Sequence, residues 1–130
     1  MKKLNIMLAD DHPEFRRVVR EFLSRLPNVG NVYEVSDGHE AVHANEVLHP
    51  DIIVMDIGMP VMNGLEATRI IKEKHPETRV VIATMHDNPM YKQHAIEVKA
   101  DGFFFKAQLK ENLEAMLGSQ HSPVSSLFGE

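Results

Sequence analysis

Ile52-Ile53-Val54-Met55-Asp56-Ile57-Gly58-Met59-Pro60 is the stretch on which the reading of this chain turns. Four apolar residues, entered from Pro50-Asp51 and followed closely by Gly58 and Pro60, make a run too short for a helix and too continuous for a half-exposed strand. The pattern is that of a strand buried on both faces, as in parallel sheets covered by helices on each side. Such a strand delivers Asp56 to its carboxyl end. Taken alone, an Asp in that place could equally open a turn, so the flanking chain has to decide.

Upstream, residues 3–9 form a first apolar strand that ends in Asp10-Asp11 and is followed by His12-Pro13. Pro13 suits a first helical turn, and Phe15, Val18, Val19, Phe22, Leu23 and Leu26 recur at helical spacing until Pro27-Asn28 stops the pattern. Residues 32–35 read as a short second strand. A weaker stripe of Ala41, Val42, Asn45 and Leu48 predicts a second helix over 39–48, which must close before Pro50.

Downstream, Leu65, Thr68, Ile70 and Ile71 line a third helix that ends near Lys74-His75-Pro76. Residues 80–83 are a fourth strand ending at Thr84, a fourth helix runs from about 90 to 98, and residues 102–105 are a fifth strand ending at Lys106. Leu109, Leu113, Met116 and Leu117 mark a short last helix. Residues 118–130 are Ser- and Gly-rich and are expected to form a mobile tail or linker stub. Strands alternating with helices imply parallel βαβ crossovers and an α/β sheet covered on both faces.

Composition narrows the function. At 130 residues there is room for one domain with a real core. No stretch approaches the roughly 20 apolar residues of a membrane span, and no signal-peptide pattern opens the chain, so a cytoplasmic protein without membrane contact is expected. The absence of cysteine excludes thiolate catalysis, disulfides and Cys-based metal centres. A net charge of −5 with no basic patch argues against direct nucleic-acid binding by this segment.

In an open parallel sheet, ligands bind beyond the carboxyl ends of the strands. That edge would receive Asp10, Asp11, Asp56, Thr84 and Lys106. Clustered carboxylates repel unless a cation sits among them, and oxygen donors suit Mg2+ or Mn2+ better than zinc. A lysine and a hydroxyl beside such a cluster suit a phosphoryl group, with Asp56 as nucleophile.

With Met59-Pro60 and Gly64 following Asp56, these residues resemble the receiver domain of two-component response regulators across about residues 3–117. Asp10-Asp11-His12-Pro13 and the run from Asp101 to Lys106 are most similar to receivers of the NarL/LuxR type. The resemblance implies a flavodoxin-like, CheY-like doubly wound five-stranded parallel sheet of order 2-1-3-4-5, flanked by five helices, with the receiver occupying residues 1–117. It also implies that Asp56 accepts a phosphoryl group from a sensor histidine kinase. Asp11 and Asp56 would ligate Mg2+ directly, Asp10 would help through water, and the Gly58 backbone carbonyl would complete the set. Lys106 would pair with the phosphate, and Thr84 would swing to bond a phosphoryl oxygen. Phe103 stands at the aromatic switch position, and the fourth helix, fifth strand and fifth helix would be the output surface. A slow self-dephosphorylating switch is implied rather than a turnover enzyme, either as a stand-alone receiver or as one that controls transcription through a DNA-binding domain outside this chain, with a phosphorylation-dependent homodimer.

Several positions depart from that pattern. Ala107 stands where many receivers carry proline, so a trans bond is expected after Lys106. Lys99 stands where a left-handed glycine cap is common, and Leu109 where a Ser-type N-cap is common, which predicts a loosely ended fourth helix and a poorly started fifth. His39 and His43 have the i,i+4 spacing of a metal pair, but no third ligand is placed, and His12 reads as a first-turn surface residue. Two rivals come from other classes. One is a phosphorylation-independent interaction module. The other is a metal-dependent phosphatase, which would want a general acid where Gly58 stands.

Overall fold

A computed structural model of the chain describes residues 2–118. The elements alternate: β1 (Leu4–Ala9), α1 (Pro13–Leu23), β2 (Val29–Val35), α2 (Gly38–Leu48), β3 (Ile52–Met55), α3 (Gly64–Lys74), β4 (Arg79–Thr84), α4 (Pro89–Glu97), β5 (Gly102–Phe105) and α5 (Leu109–Gly118). The strands form one parallel sheet of order β2-β1-β3-β4-β5, with Leu8 paired to Val54, Val54 to Val81 and Ala83 to Phe104. This is the predicted doubly wound arrangement.

Strand periodicity sorts the core into two layers. Ile6, Leu8, Val54, Val81 and Phe104 face α1 and α5, where Val19, Leu23, Leu113 and Leu117 complete the layer. Met7, Ile53, Met55, Ile82 and Phe103 face the other way, onto Ala41 of α2, Ala67 and Ile71 of α3 and Ala95 of α4. β3 is buried at every position, which is why it carries no alternation.

The structure corrects several boundaries. β2 begins at Val29, three residues earlier than the apolar pattern shows. Gly30 and Asn31 carry no such pattern, and their place is set by Leu4 pairing with Val29 and by the Asn31 N–H donating to Asn5 Oδ1 at 2.9 Å. α1 ends at Leu23, and Leu26 lies in the turn that follows, its N–H donating to the Leu23 carbonyl. α4 starts one residue earlier than read, because Asn88 Oδ1 accepts the Met90 N–H at 2.9 Å and Pro89 occupies the first position.

Lys99 does take the left-handed conformation, at φ 68°, as the departure from glycine foretold. Leu109 replaces a polar cap because it is core, and a single 3₁₀ turn, Lys106–Gln108, leads into α5 in place of a side-chain cap. The described residues contain no cis peptide bond, so the link from Lys106 to Ala107 is trans. Gly118, assigned by composition to the tail, closes α5, while the rest of that segment, 119–130, lies outside the described residues. No helix among the described residues is long and apolar enough to cross a membrane.

Candidate functional site

Strand pairing continues one residue past the strands and sets the centre of the site. The Asp56 N–H donates to the Ala9 carbonyl at 2.9 Å, and the Asp10 N–H to the Val35 carbonyl at 3.1 Å, which places the two carboxylates side by side at the carboxyl edge. Asp10 and Thr84 are buried, Asp56 is only 6% exposed, and Asp11 is half-buried.

The loop after Asp56 is closed by α3 seated against it. The Gly64 N–H donates to the Ile57 carbonyl at 2.9 Å, and Asn63 caps the helix by accepting the Glu66 N–H. A Cβ on Gly64 would lie 1.9 Å from the Asp56 carbonyl oxygen, so only glycine permits this approach. Within the loop, Val61 is exposed and left-handed at φ 68°, a strained conformation for a β-branched residue.

Lys106 enters from the end of β5. Its Nζ lies 2.5 Å from Asp10 Oδ2 and 3.5 Å from Asp56 Oδ1, and it stands 4.3 Å above the Phe15 ring. The side chain is 7% exposed. A cation over an aromatic face is attracted by the ring quadrupole, so Phe15, read from sequence as a core-stripe residue, also helps hold the lysine. Its placement one turn into α1, beyond Asp11, is the signal that could have revealed it.

Burial raises the Asp56 carboxyl above the ordinary carboxylate range, and the neighbouring Asp10 raises it further. Lys106 pulls in the opposite direction without cancelling these effects, and Asp11 adds a smaller upward push. Three carboxylates, Asp10, Asp11 and Asp56, gather around the single lysine, so ionised together they exceed the charge it neutralises. Asp10 Oδ2 and Asp11 Oδ1 are buried and accept no hydrogen bond, although Lys106 and His12 stand at ion-pair distance. One donor atom from each of Asp10, Asp11, His12 and Asp56 lies within 4.8 Å of the others. Buried oxygens without hydrogen bonds in a crevice of excess negative charge fit a hard divalent cation.

The hydroxyl of Thr84 accepts the His86 N–H at 3.0 Å, which holds Thr84 at the tip of β4. His86 itself is exposed and stands edge-on to Tyr91, the ring centroids 6.0 Å apart. Phe103 is turned inward and packs edge-to-face on Phe105 at 5.6 Å. Phe105 is the strand partner of Thr84, a pairing that sequence reading did not bring out.

His12 is the other surprise. Its ring is exposed, as expected of the first turn, but Nδ1 reaches back to both Asp10 and Asp11. His39 and His43 remain exposed on α2, and the grouping around Asp56 is the only one among the described residues with metal-ligand spacing.

Fold and site together define a flavodoxin-like module with an acidic pocket at the carboxyl edge of its sheet. The chain belongs to the response regulator receiver domain family, whose model matches residues 6–118. It is 38% identical over 104 residues to the transcriptional regulatory protein DegU of Brevibacillus brevis, covering 80% of this chain and 44% of that protein. It is 35% identical over 108 residues to the nitrate/nitrite response regulator protein NarL of Escherichia coli K12, covering 83% of this chain and 50% of that one. The chain thus spans about half the length of these curated relatives.

Among solved structures, a LuxR-family two-component response regulator from Aurantimonas sp. SI85-9A1 superposes with a TM-score of 0.81 at 33% identity, covering 98% of this chain and 96% of that one. The signal receiver domain of a NarL from Mycobacterium tuberculosis gives 0.81 at 27% identity, covering 92% of this chain and all of its own. Receiver domains generally bind Mg2+ at their acidic pocket, and response regulators are phosphorylated by sensor histidine kinases.

Proposed function

We propose that this receiver is switched by phosphorylation of Asp56. The carrying observation is the convergence on one crevice of the raised Asp56 carboxyl, the acidic pair and the Nζ of Lys106, 3.5 Å from Asp56 Oδ1. An Asp56 oxygen attacks the phosphorus of a kinase phosphohistidine. The new P–O bond forms as the P–N bond breaks, and the electron pair leaves with the imidazole, which is then reprotonated from solvent. Asp11, Asp56 and the Gly58 carbonyl would hold Mg2+, with Asp10 assisting, and the ion would supply charge neutralisation for the phosphoryl oxygens.

Lys106 then exchanges its contact with Asp10 for a phosphoryl oxygen. Thr84 gives up the His86 N–H and turns its hydroxyl to donate to another. That turn opens space near the inward Phe103 and couples the pocket to α4, β5 and α5, the surface read out by partners. Loss of the phosphoryl group by hydrolysis is slow, and His86, two residues past Thr84, sets its rate. A His86→Ala variant with an unchanged phosphoryl half-life would remove that role.

The natural partner is a sensor histidine kinase. The output includes transcription, through a phosphorylation-dependent dimer, a reading supported by the match to transcriptional regulators.

The test is intact mass after incubation with acetyl phosphate and Mg2+. A phosphoryl adduct in the parent, absent from Asp56→Asn and absent without Mg2+, is expected. If no adduct forms and BeF3− also fails to bind, the phosphorylation-independent interaction module is the correct reading instead.

A further inference from the structure

Among the described residues of the crevice, His12 is the one that phosphoryl chemistry leaves without a task. It occupies the N-cap of α1, where a side chain ordinarily accepts a hydrogen bond from the first turn, yet its ring makes no such bond. The imidazole is turned the other way. Nδ1 lies 2.9 Å from Asp10 Oδ1 and 3.1 Å from Asp11 Oδ1, and the His12 backbone N–H donates to the same Asp10 oxygen at 2.9 Å. Chain geometry and ring orientation both aim this nitrogen at the acidic pair.

Those distances are informative. In an octahedral sphere with bonds of about 2.1 Å, adjacent ligand atoms stand about 3.0 Å apart. The His12 nitrogen is therefore spaced from Asp11 Oδ1, the directly ligating carboxylate of the pair, as a neighbouring vertex would be, and it falls inside the same 4.8 Å grouping as Asp56. Asp11 Oδ1, beside the imidazole, is buried and accepts no hydrogen bond, and neither does Oδ2 of the almost wholly buried Asp10 on the Lys106 side, so a free oxygen next to the imidazole is ready for a cation.

We propose that His12 Nδ1 is a nitrogen ligand of the cation in this crevice, with the ring proton on Nε2, and that it tilts the pocket toward borderline transition ions and away from Mg2+. The inference rests on reading the crevice as a divalent-cation site and adds the class of ion it selects. Imidazole contributes little to a hard ion such as Mg2+. Its contribution grows along the series from Mn2+ to Ni2+, where a site of carboxylate oxygens alone discriminates less. The switch would then respond to which divalent ion is abundant as well as to its kinase.

The test is calorimetric titration of the full chain with Mg2+, Mn2+ and Ni2+, paired with pulsed EPR of the Mn2+-loaded protein. A His39→Gln background keeps the exposed His39 and His43 pair from adding a second Ni2+ site. His12→Asn retains an amide donor near Asp10 but is a poor ligand, so it separates hydrogen bonding from coordination. The Ni2+ to Mg2+ affinity ratio is expected to fall about tenfold or more in His12→Asn, with the Mg2+ affinity changing less than about threefold. A ¹⁴N coupling should be present in the parent Mn2+ spectrum and missing from the variant.

Unchanged ratios and no ¹⁴N coupling, with Mg2+ binding still abolished by Asp11→Asn, would overturn the role of His12 and leave the pocket reading standing. Failure of all three ions to bind the parent would overturn both.

Discussion

Two helices on the same face of the sheet, α3 and α4, are held in opposite ways. α3 begins under the site, with Gly64 pressed against the Asp56 carbonyl, and buries Ala67, Thr68 and Ile71 along its length. Its far end is clamped by Lys72, whose ammonium donates to the Pro76 and Thr78 carbonyls and to Asp101 Oδ2 at 2.8–2.9 Å. α4 buries only Ala95, leaves Met90 53% and Ile96 49% exposed, and exits through a left-handed lysine. The helix that positions the pocket is fixed at both ends, while its neighbour rests on fully buried Ala95 and half-buried Tyr91. Elements that move in a switch come from the lightly held end of this range.

The contrast is most severely tested at the start of α3. Gly64→Ala should destabilise the protein by about 3 kcal/mol, read as a lowered urea midpoint, because the added methyl meets backbone rather than a yielding side chain. At the other end of the helix, Lys72→Met removes a donor, only 8% exposed, from the Pro76 and Thr78 carbonyls and from Asp101 Oδ2, which keeps only the Val80 N–H, and should cost about 2 kcal/mol in the same assay. If either change is neutral, α3 is not the rigid partner described here.

For α4 the sign reverses. Lys99→Gly should stabilise by about 1 kcal/mol, since glycine adopts positive φ without the steric cost that lysine bears, and amide exchange in α4 should slow toward that of α3. Val61→Gly, in the loop behind Asp56, should give a similar gain for the same reason, without altering exchange in α4.

The smallest effect is electrostatic. The folded Asp56 carboxyl titrates above its ordinary 3.8, so the folded state holds the proton more tightly than the unfolded chain does. Its contribution is thus most favourable below pH 3.8 and is lost as pH rises through the folded pKa. In chelator-containing buffer, Asp56→Asn should raise Tm by about 2 °C at neutral pH, and the gain should vanish on acidification.

Much of this was legible in the chain because parallel strands carry their signal openly. The apolar runs ending in Asp10, Asp56, Thr84 and Lys106 gave both the sheet and the edge where the site lies. What escaped had no pattern to display. The first residues of β2 are placed by Asn5 rather than by apolar alternation. Phe15 is one apolar position in a stripe until Lys106 arrives from 91 residues away to lie over its ring. His12 looked like surface because its ring is exposed, and only the backbone turn at the start of α1 brings Nδ1 onto the acids.

The strand order has a consequence for how the molecule is made. β1 lies inside the sheet and meets β3 only after the intervening helices and strand exist, across a separation of 46 residues at Asn5 and Asp51. A chain emerging from the ribosome can therefore assemble Asp10, Asp11 and Asp56 once β3 is out, while Lys106 is still to be translated. For that interval the nascent sheet gathers three acids with no lysine among them. Docking of β5, followed by closure of α5 over the sheet, then brings the counter-charge, so divalent ions should act most strongly on the partly built sheet during synthesis.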